Sequence, residues 1–262
     1  MPTPKSAGYA PVNGLKIYYE IYGEGKPLLL LHGSYMNIGM NYAKLIPELS
    51  KTHQVIAFEM QGHGRTADID RKFSYPALAD DAAGLLKYLK IDSADVLGYS
   101  LGAVVALKMT LRHPEMVSKL VFISGTYKTS GWTPEARKGF LDMKADFLTN
   151  TPLKTEYDLL APDKSHWLAF VKKMIEFDNE EYDFGAENIR KIKVPVLLIN
   201  GDNDGVDKHH VADLYDLVGG SVFFADMVSL PPSRLAIIPG ATHVTLMMAT
   251  AKLAEIITPF LQ

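Results

Sequence analysis

Six short apolar runs, at residues 27–31, 54–59, 94–99, 119–124, 194–200 and 234–238, alternate with longer helix-patterned segments along the chain. No other feature limits the possible folds as strongly. Within a run the apolar residues are consecutive ("PLLLL", "VLLIN"), as in a strand covered on both faces. Between the runs, helices are expected at 41–49, 74–90, 101–112, 207–218 and 245–261. Ser74 is placed to cap the second of these, with Pro76 in its first turn, and Pro114 stops the third. Strand and helix in strict alternation imply right-handed crossovers and a mainly parallel α/β sheet. Ahead of it, "YAPVNGLKIYYEIYG" reads as a hairpin, because Asn13-Gly14 is a type I′ turn signal between two β-rich runs.

One interval breaks the rhythm. Residues 126–192 contain no strong strand but carry amphipathic pieces at 134–147 and 165–177. A structureless loop of this length does not suit a compact domain, so a helical insertion sitting on the sheet is expected. The expected division is a sheet domain of residues 1–125 and 193–262 and a helical cap of residues 126–192. The composition narrows the partners. A net charge of −3 without a basic patch argues against nucleic acid and anionic membranes. With no cysteine, disulfides and thiolate chemistry are excluded, which suits a reducing compartment. The start "MPTPKSAGYA" has no apolar h-region, and no apolar run nears the roughly 20 residues of a membrane span, so a cytoplasmic location is expected.

The stretch "DVLGYSLGAVVAL" places one serine, Ser100, between Gly98 and Gly102 where a strand runs into a helix. The glycines let strand and helix backbones approach, which lifts the hydroxyl out at the carboxyl edge of the sheet. The helix N-terminus behind it offers free N–H groups and a positive dipole end. Gly-x-Ser-x-Gly in this setting is a nucleophile elbow. With it the chain resembles the α/β-hydrolases over nearly its whole length. The resemblance implies a mostly parallel central sheet flanked by helices, a helical cap, and the chain order nucleophile, acid, histidine.

A serine hydroxyl needs a base, and the base an orienting carboxylate. Of eight histidines, His243 in "IIPGATHVTL" stands in a loop similar to the family's Pro-Gly-x-x-His and is the candidate base. His32 in "LHGS" and His63 in "QGHGRT" match family motifs with other roles, His32 as a hydrogen bond that holds its loop. His53 leads into a strand, and His113, His166, His209 and His210 are expected on solvated helices or loops. Three carboxylates compete in "GDNDGVD": Asp202, Asp204 and Asp207. The family's Gly-x-x-Asp pattern selects Asp204. Asp202 then stabilises the turn, and Asp207 caps the next helix. The resemblance also assigns the oxyanion donors, the main-chain N–H groups of Leu101 and Ser34. In "EMQGHGRTAD", Glu59 and Thr66 stand where relatives carry Asp and Ser, and Arg65 is expected to pair locally. Ala103 replaces a second glycine common in the family.

The implied activity is cleavage of a small to medium carboxylic ester through an acyl-enzyme, with no metal and no organic cofactor. Lactonase, thioesterase and perhydrolase chemistry use the same parts, and some relatives are slow-turnover receptors for small molecules. A serine nucleophile argues against dehalogenation and epoxide opening, and "HGSYMN" lacks the Gly-Gly-Pro-Gly loop of proline iminopeptidases. Trp132, Phe140, Phe147, Trp167, Phe170 and Phe177 are expected either to line a cavity under the cap or to pack it down. The segment 221–234, "SVFFADMVSLPPSR", is expected to form an interface or a lid edge.

Overall fold

The structure, a computed structural model, describes residues 1–223 and 225–262. β1 (Ser6–Val12) and β2 (Leu15–Tyr22) form the hairpin, turning through Asn13 and Gly14 at φ 49° and 84°. β3 (Lys26–Leu31), β4 (His53–Phe58), β5 (Ala94–Tyr99), β6 (Val117–Ile123), β7 (Val196–Asn203) and β8 (Arg234–Thr242) follow. All eight join one sheet in the order β1-β2-β4-β3-β5-β6-β7-β8. β2 runs antiparallel to β1 and β4, and every other neighbouring pair is parallel. After β3 the chain pairs β4 on one side, then crosses to lay β5 on the other. The crevice beyond the carboxyl ends of β3 and β5 is therefore the switch point where an open α/β sheet holds its ligand.

The consecutive apolar residues feed two cores. Leu29 and Leu31 belong to the core beneath α3 (Tyr75–Tyr88) and α4 (Leu101–Arg112). Leu28 and Leu30 belong to the core against α1 (Ile38–Tyr42), α2 (Ile46–Leu49) and α10 (Thr250–Leu261). Each such leucine contributes about 1.5–3 kcal/mol by leaving water. Ser74 Oγ accepts the N–H of Ala77 at 3.2 Å and starts α3.

Several boundaries differ from expectation. The 41–49 helix is two short helices, because Pro47 has no N–H to give residue 43 and its ring collides with that carbonyl. The final helix starts only at Thr250, after a 3₁₀ turn at Thr245–Met248. β7 and β8 run past their apolar runs until Asn203 pairs with Thr242, held by main-chain bonds that need no apolar side chain. That register brings residues 204 and 243 out of the sheet side by side.

Between β6 and β7 lie α5 (Pro134–Asp142), α6 (Pro152–Leu160), α7 (Trp167–Asn179) and α8 (Ala186–Ile189), with no strand among the described residues there. The helix expected over 134–147 ends at Asp142, where Met143 turns extended, and α6 was not foreseen. α7 buries a stripe of Trp167, Phe170, Val171, Met174 and Phe177. Phe170 and Phe177 meet the Phe73 ring at centroid distances of 6.4 and 5.9 Å. Lys173 Nζ, on the same helix, donates to both oxygens of Asp68 at 2.8 and 2.9 Å. α9 (Lys208–Leu217) then follows β7, with Asp207 accepting the N–H groups of His209 and His210 at its start.

Candidate active site

Ser100 is built by a turn that only glycine neighbours allow. A Cβ on Gly98 would lie 2.2 Å from the carbonyl oxygen of Gly102, and one on Gly102 would lie 2.1 Å from that of Leu31. Ser100 itself is held at φ 55° and ψ −119°, a conformation that costs about 1–3 kcal/mol for a residue with a side chain. The surroundings enforce it: the Ser100 N–H donates to the Ile123 carbonyl at 2.9 Å, pinning the elbow to the end of β6.

From the hydroxyl a chain of hydrogen bonds runs back into the protein. Ser100 Oγ is 2.9 Å from His243 Nε2, and His243 Nδ1 is 2.8 Å from Asp204 Oδ1. Asp204 is buried. Its Oδ1 also accepts the Val206 N–H at 3.1 Å, and its Oδ2 accepts the Ser124 hydroxyl at 2.5 Å. Burial pushes the Asp204 carboxyl up, but the bonds from His243, Ser124 and Val206 outweigh it and hold the group below its ordinary value. An ionised Asp204 requires Nδ1 of His243 to carry the proton, which leaves Nε2 to accept from Ser100. The His243 carbonyl is fixed by the Tyr99 hydroxyl at 2.8 Å, and its ring packs against Trp132 at 5.5 Å.

The loop after β3 closes the other side. A Cβ on Gly33 would stand 3.5 Å from that of Ser100, so this loop touches the elbow. Two buried histidines hold it. His32 Nε2 accepts from Met60 N–H at 3.0 Å, which leaves Nδ1–H for the Gly33 carbonyl at 2.9 Å. His63 Nε2 accepts the Tyr35 N–H at 3.2 Å, and its Nδ1–H faces the Gln61 carbonyl at 2.9 Å. Burial drives both rings down, His32 to about 3 and His63 to about 4, so they stay neutral and the bonds persist at ordinary pH. Tyr35 is thereby kept at φ 62°.

Ser100, Leu101, Ser34 and His243 share the wall of one cavity of about 320 Å³, with Trp132, Phe140, Leu153 and Ile175 from the inserted segment above. Of the aromatics expected to line or pack, Trp132 and Phe140 line, Trp167, Phe170 and Phe177 are packed away, and Phe147 is 61% exposed. Asp202 stays outside the hydrogen-bond chain. Its Oδ1 accepts from Ala241 N–H at 3.2 Å and from the Asn203 amide at 2.7 Å. Glu59 receives the Arg65 guanidinium at 2.8 Å.

One histidine corrects the sequence reading. His210 is buried, not solvated, because this face of α9 turns inward. It stacks on Tyr127 and accepts that residue's N–H at 3.2 Å. Two site residues escaped the sequence. Ser124, at φ 52°, was visible only as a polar residue ending an apolar run. Asp178 lines the cavity, where its carboxylate accepts the Tyr35 hydroxyl at 3.0 Å and the Ser34 hydroxyl at 3.4 Å. Its signal was position: it falls four residues after Met174 and eight after Phe170, on the apolar stripe of α7. In 221–234, Phe223, Met227, Val228 and Leu230 are strongly exposed, and Phe224 lies outside the described residues.

Comparison with known proteins agrees with this architecture. A family model described as the alpha/beta hydrolase fold matches residues 26–160, and the chain belongs to that family. By that family it is a hydrolase of the alpha/beta fold. Among its relatives is the 2-hydroxymuconate semialdehyde hydrolase of Pseudomonas sp. (strain CF600), 35% identical over 113 residues, a match spanning 42% of this chain and only 40% of that one. The putative carbamate hydrolase RutD of Azorhizobium caulinodans is 26% identical over 79% of this chain and 84% of its own. A solved serine hydrolase involved in carbazole degradation, the CarC enzyme, superposes with a TM-score of 0.76 at 22% identity, covering 98% of both chains. No described helix is long and apolar enough to cross a membrane.

Proposed function

We propose that the protein hydrolyses a carboxylic ester through a covalent acyl-enzyme. Ser100 Oγ attacks the ester carbonyl while His243 Nε2 takes its proton. The main-chain N–H groups of Leu101 and Ser34 receive the oxyanion, each worth about 2.7–4 kcal/mol in the transition state. His243 then protonates the departing alkoxide. Water, deprotonated by the same ring, releases the acid and restores Ser100. Asp204 holds the ring in the required tautomer and stabilises the imidazolium. Residues 126–192 act as the cap that shapes the acyl and alcohol pockets.

The observation that carries this reading is the unbroken hydrogen-bond chain, 2.9 Å and then 2.8 Å, ending on a serine at φ 55° in the cavity wall. Ser100→Ala should lower kcat/KM on p-nitrophenyl butyrate by three orders of magnitude or more, with the folded chain unchanged. Near-normal hydrolysis by that variant would remove Ser100 as nucleophile. Lactones and thioesters assayed beside the ester fix which acyl compound is preferred.

A further inference from the structure

The cavity has a charge that the ester chemistry does not use. Asp178 stands on α7, lines the same cavity as Ser100, and is only half-buried. Both of its partners there are neutral hydroxyls, Ser34 Oγ and Tyr35 Oη. Among the described lining residues there is no Lys or Arg. Arg137 donates at 3.3 Å to the main-chain carbonyl of Asp178. A carboxylate offers about four lone-pair sites, and the two hydroxyls occupy two of them. The remainder can accept from a ligand. The same hydroxyls fix the plane of the group, and both belong to the loop that carries a proposed oxyanion donor.

We infer that Asp178 selects the substrate: it accepts an N–H or O–H donor carried by the ester, favouring hydroxyl- and ammonium-bearing esters and excluding those with a second carboxylate. The inference rests on the ester-hydrolase reading above. Above about pH 7, where the carboxyl is ionised, an anionic ligand entering this cavity meets a carboxylate and, among the described lining residues, no lysine or arginine, so like charges face each other in a poorly hydrated space. An ammonium supplies the counter-ion that the protein withholds. A hydroxyl donates one bond without the cost of removing a charge from water. Burial pushes the Asp178 carboxyl up to about 7 against the pull of the Tyr35 and Ser34 hydroxyls, as expected of an acid left without a cation.

The test, run at pH 8.5 where Asp178 is ionised, uses four methyl esters of 3-substituted benzoic acids, bearing aminomethyl, hydroxymethyl, ethyl or carboxylate. Wild type should prefer aminomethyl to carboxylate by about 100-fold or more in kcat/KM, with hydroxymethyl above ethyl. Asp178→Asn should collapse the aminomethyl-to-carboxylate ratio to within about fivefold, and Asp178→Glu should keep its direction. A ratio measured on one preparation does not depend on how much of a variant folds. The same four esters are titrated by calorimetry into Ser100→Ala and into Ser100→Ala/Asp178→Asn, where the binding order should repeat. Esters hydrolysed without charge preference, or a ratio unmoved by Asp178→Asn, overturn the inference and leave the ester reading standing. Esters left intact but bound in the expected order overturn the ester reading and leave the role of Asp178 standing. Esters neither cleaved nor bound in that order overturn both.

Discussion

Asp204, just past the end of β7, and Asp178, on α7, are held in opposite ways. Asp204 leaves the end of β7, where strand register sets its place, and it receives an imidazole, a hydroxyl and a main-chain N–H. Those donors overcome burial, and the carboxyl is held down. Asp178 comes from a helix in the insertion and receives two hydroxyls only, so burial wins and the carboxyl rises to about 7. The same side chain therefore serves two ends. Bonded to a histidine at the sheet edge it is held toward its ionised form, and in the proposed mechanism it orients the base. Bonded to hydroxyls under a helical roof it keeps spare accepting capacity for a ligand.

Substitutions at each carboxylate, and beside it, break this contrast to different extents. Asp204→Asn should cost the most, about 10⁴-fold in kcat, because an amide can donate to Nδ1 and turn His243 to the wrong tautomer. Steady-state assay on p-nitrophenyl butyrate reads it, and a loss below tenfold would deprive Asp204 of the orienting role. Ser124→Ala removes one bond to that ionised carboxylate, worth about 1.5–3 kcal/mol, so kcat should fall roughly 10- to 100-fold. A loss as large as that of Ser100→Ala would instead mark Ser124 as a participant in the chemistry. Asp202→Asn should change kcat by about twofold or less, since the chain from Ser100 to Asp204 bypasses it. A loss exceeding that of Asp204→Asn would exchange the two roles.

The last contrast is thermal. Asp178 binds its proton more tightly folded than unfolded, with its value raised from 3.8 to about 7. Between those values the folded state holds more protons than the unfolded, so this group's contribution to stability falls as pH rises. The Ser34 and Tyr35 hydroxyls bond the carboxylate, the Tyr75 phenol is near enough to feel its charge, and Arg137 bonds the main-chain carbonyl of Asp178. Asp178→Asn should therefore gain melting temperature over wild type on going from pH 4 to pH 8, by a few degrees at most. Scanning calorimetry at the two values reads the sign; a variant that loses ground as pH rises would mean a stabilised anion at Asp178.

Most of the sheet edge was legible in the sequence, and most of the roof was not. The strands announced themselves because burial on both faces demands consecutive apolar residues, as in Leu28 to Leu31. Ser100 was legible because a Cβ on Gly98 would come within 2.2 Å of a main-chain oxygen, which leaves glycine as the only residue that fits there. His243 and Asp204 came from short local patterns, and their meeting follows from the pairing of Asn203 with Thr242. That pairing is a main-chain event and leaves no side-chain signature. The bond from Tyr35 to Asp178 joins residues 143 apart in the chain and depends on how α7 packs over the elbow. No periodicity encodes that docking. Aromatics split accordingly: Phe140 lines the cavity while Phe147, beyond the break at Met143, faces solvent.

Covalent trapping tests the central arrangement most directly. A p-nitrophenyl alkylphosphonate should react once per chain, releasing one equivalent of p-nitrophenol as hydrolysis of p-nitrophenyl butyrate ceases. Mass spectrometry of the peptides should place the phosphonyl group on Ser100, and His243→Ala should slow labelling by at least about a thousandfold. Adduct on Ser124 or Ser34, or labelling of Ser100 at an unchanged rate without His243, would contradict a nucleophile activated along the Ser100–His243–Asp204 chain.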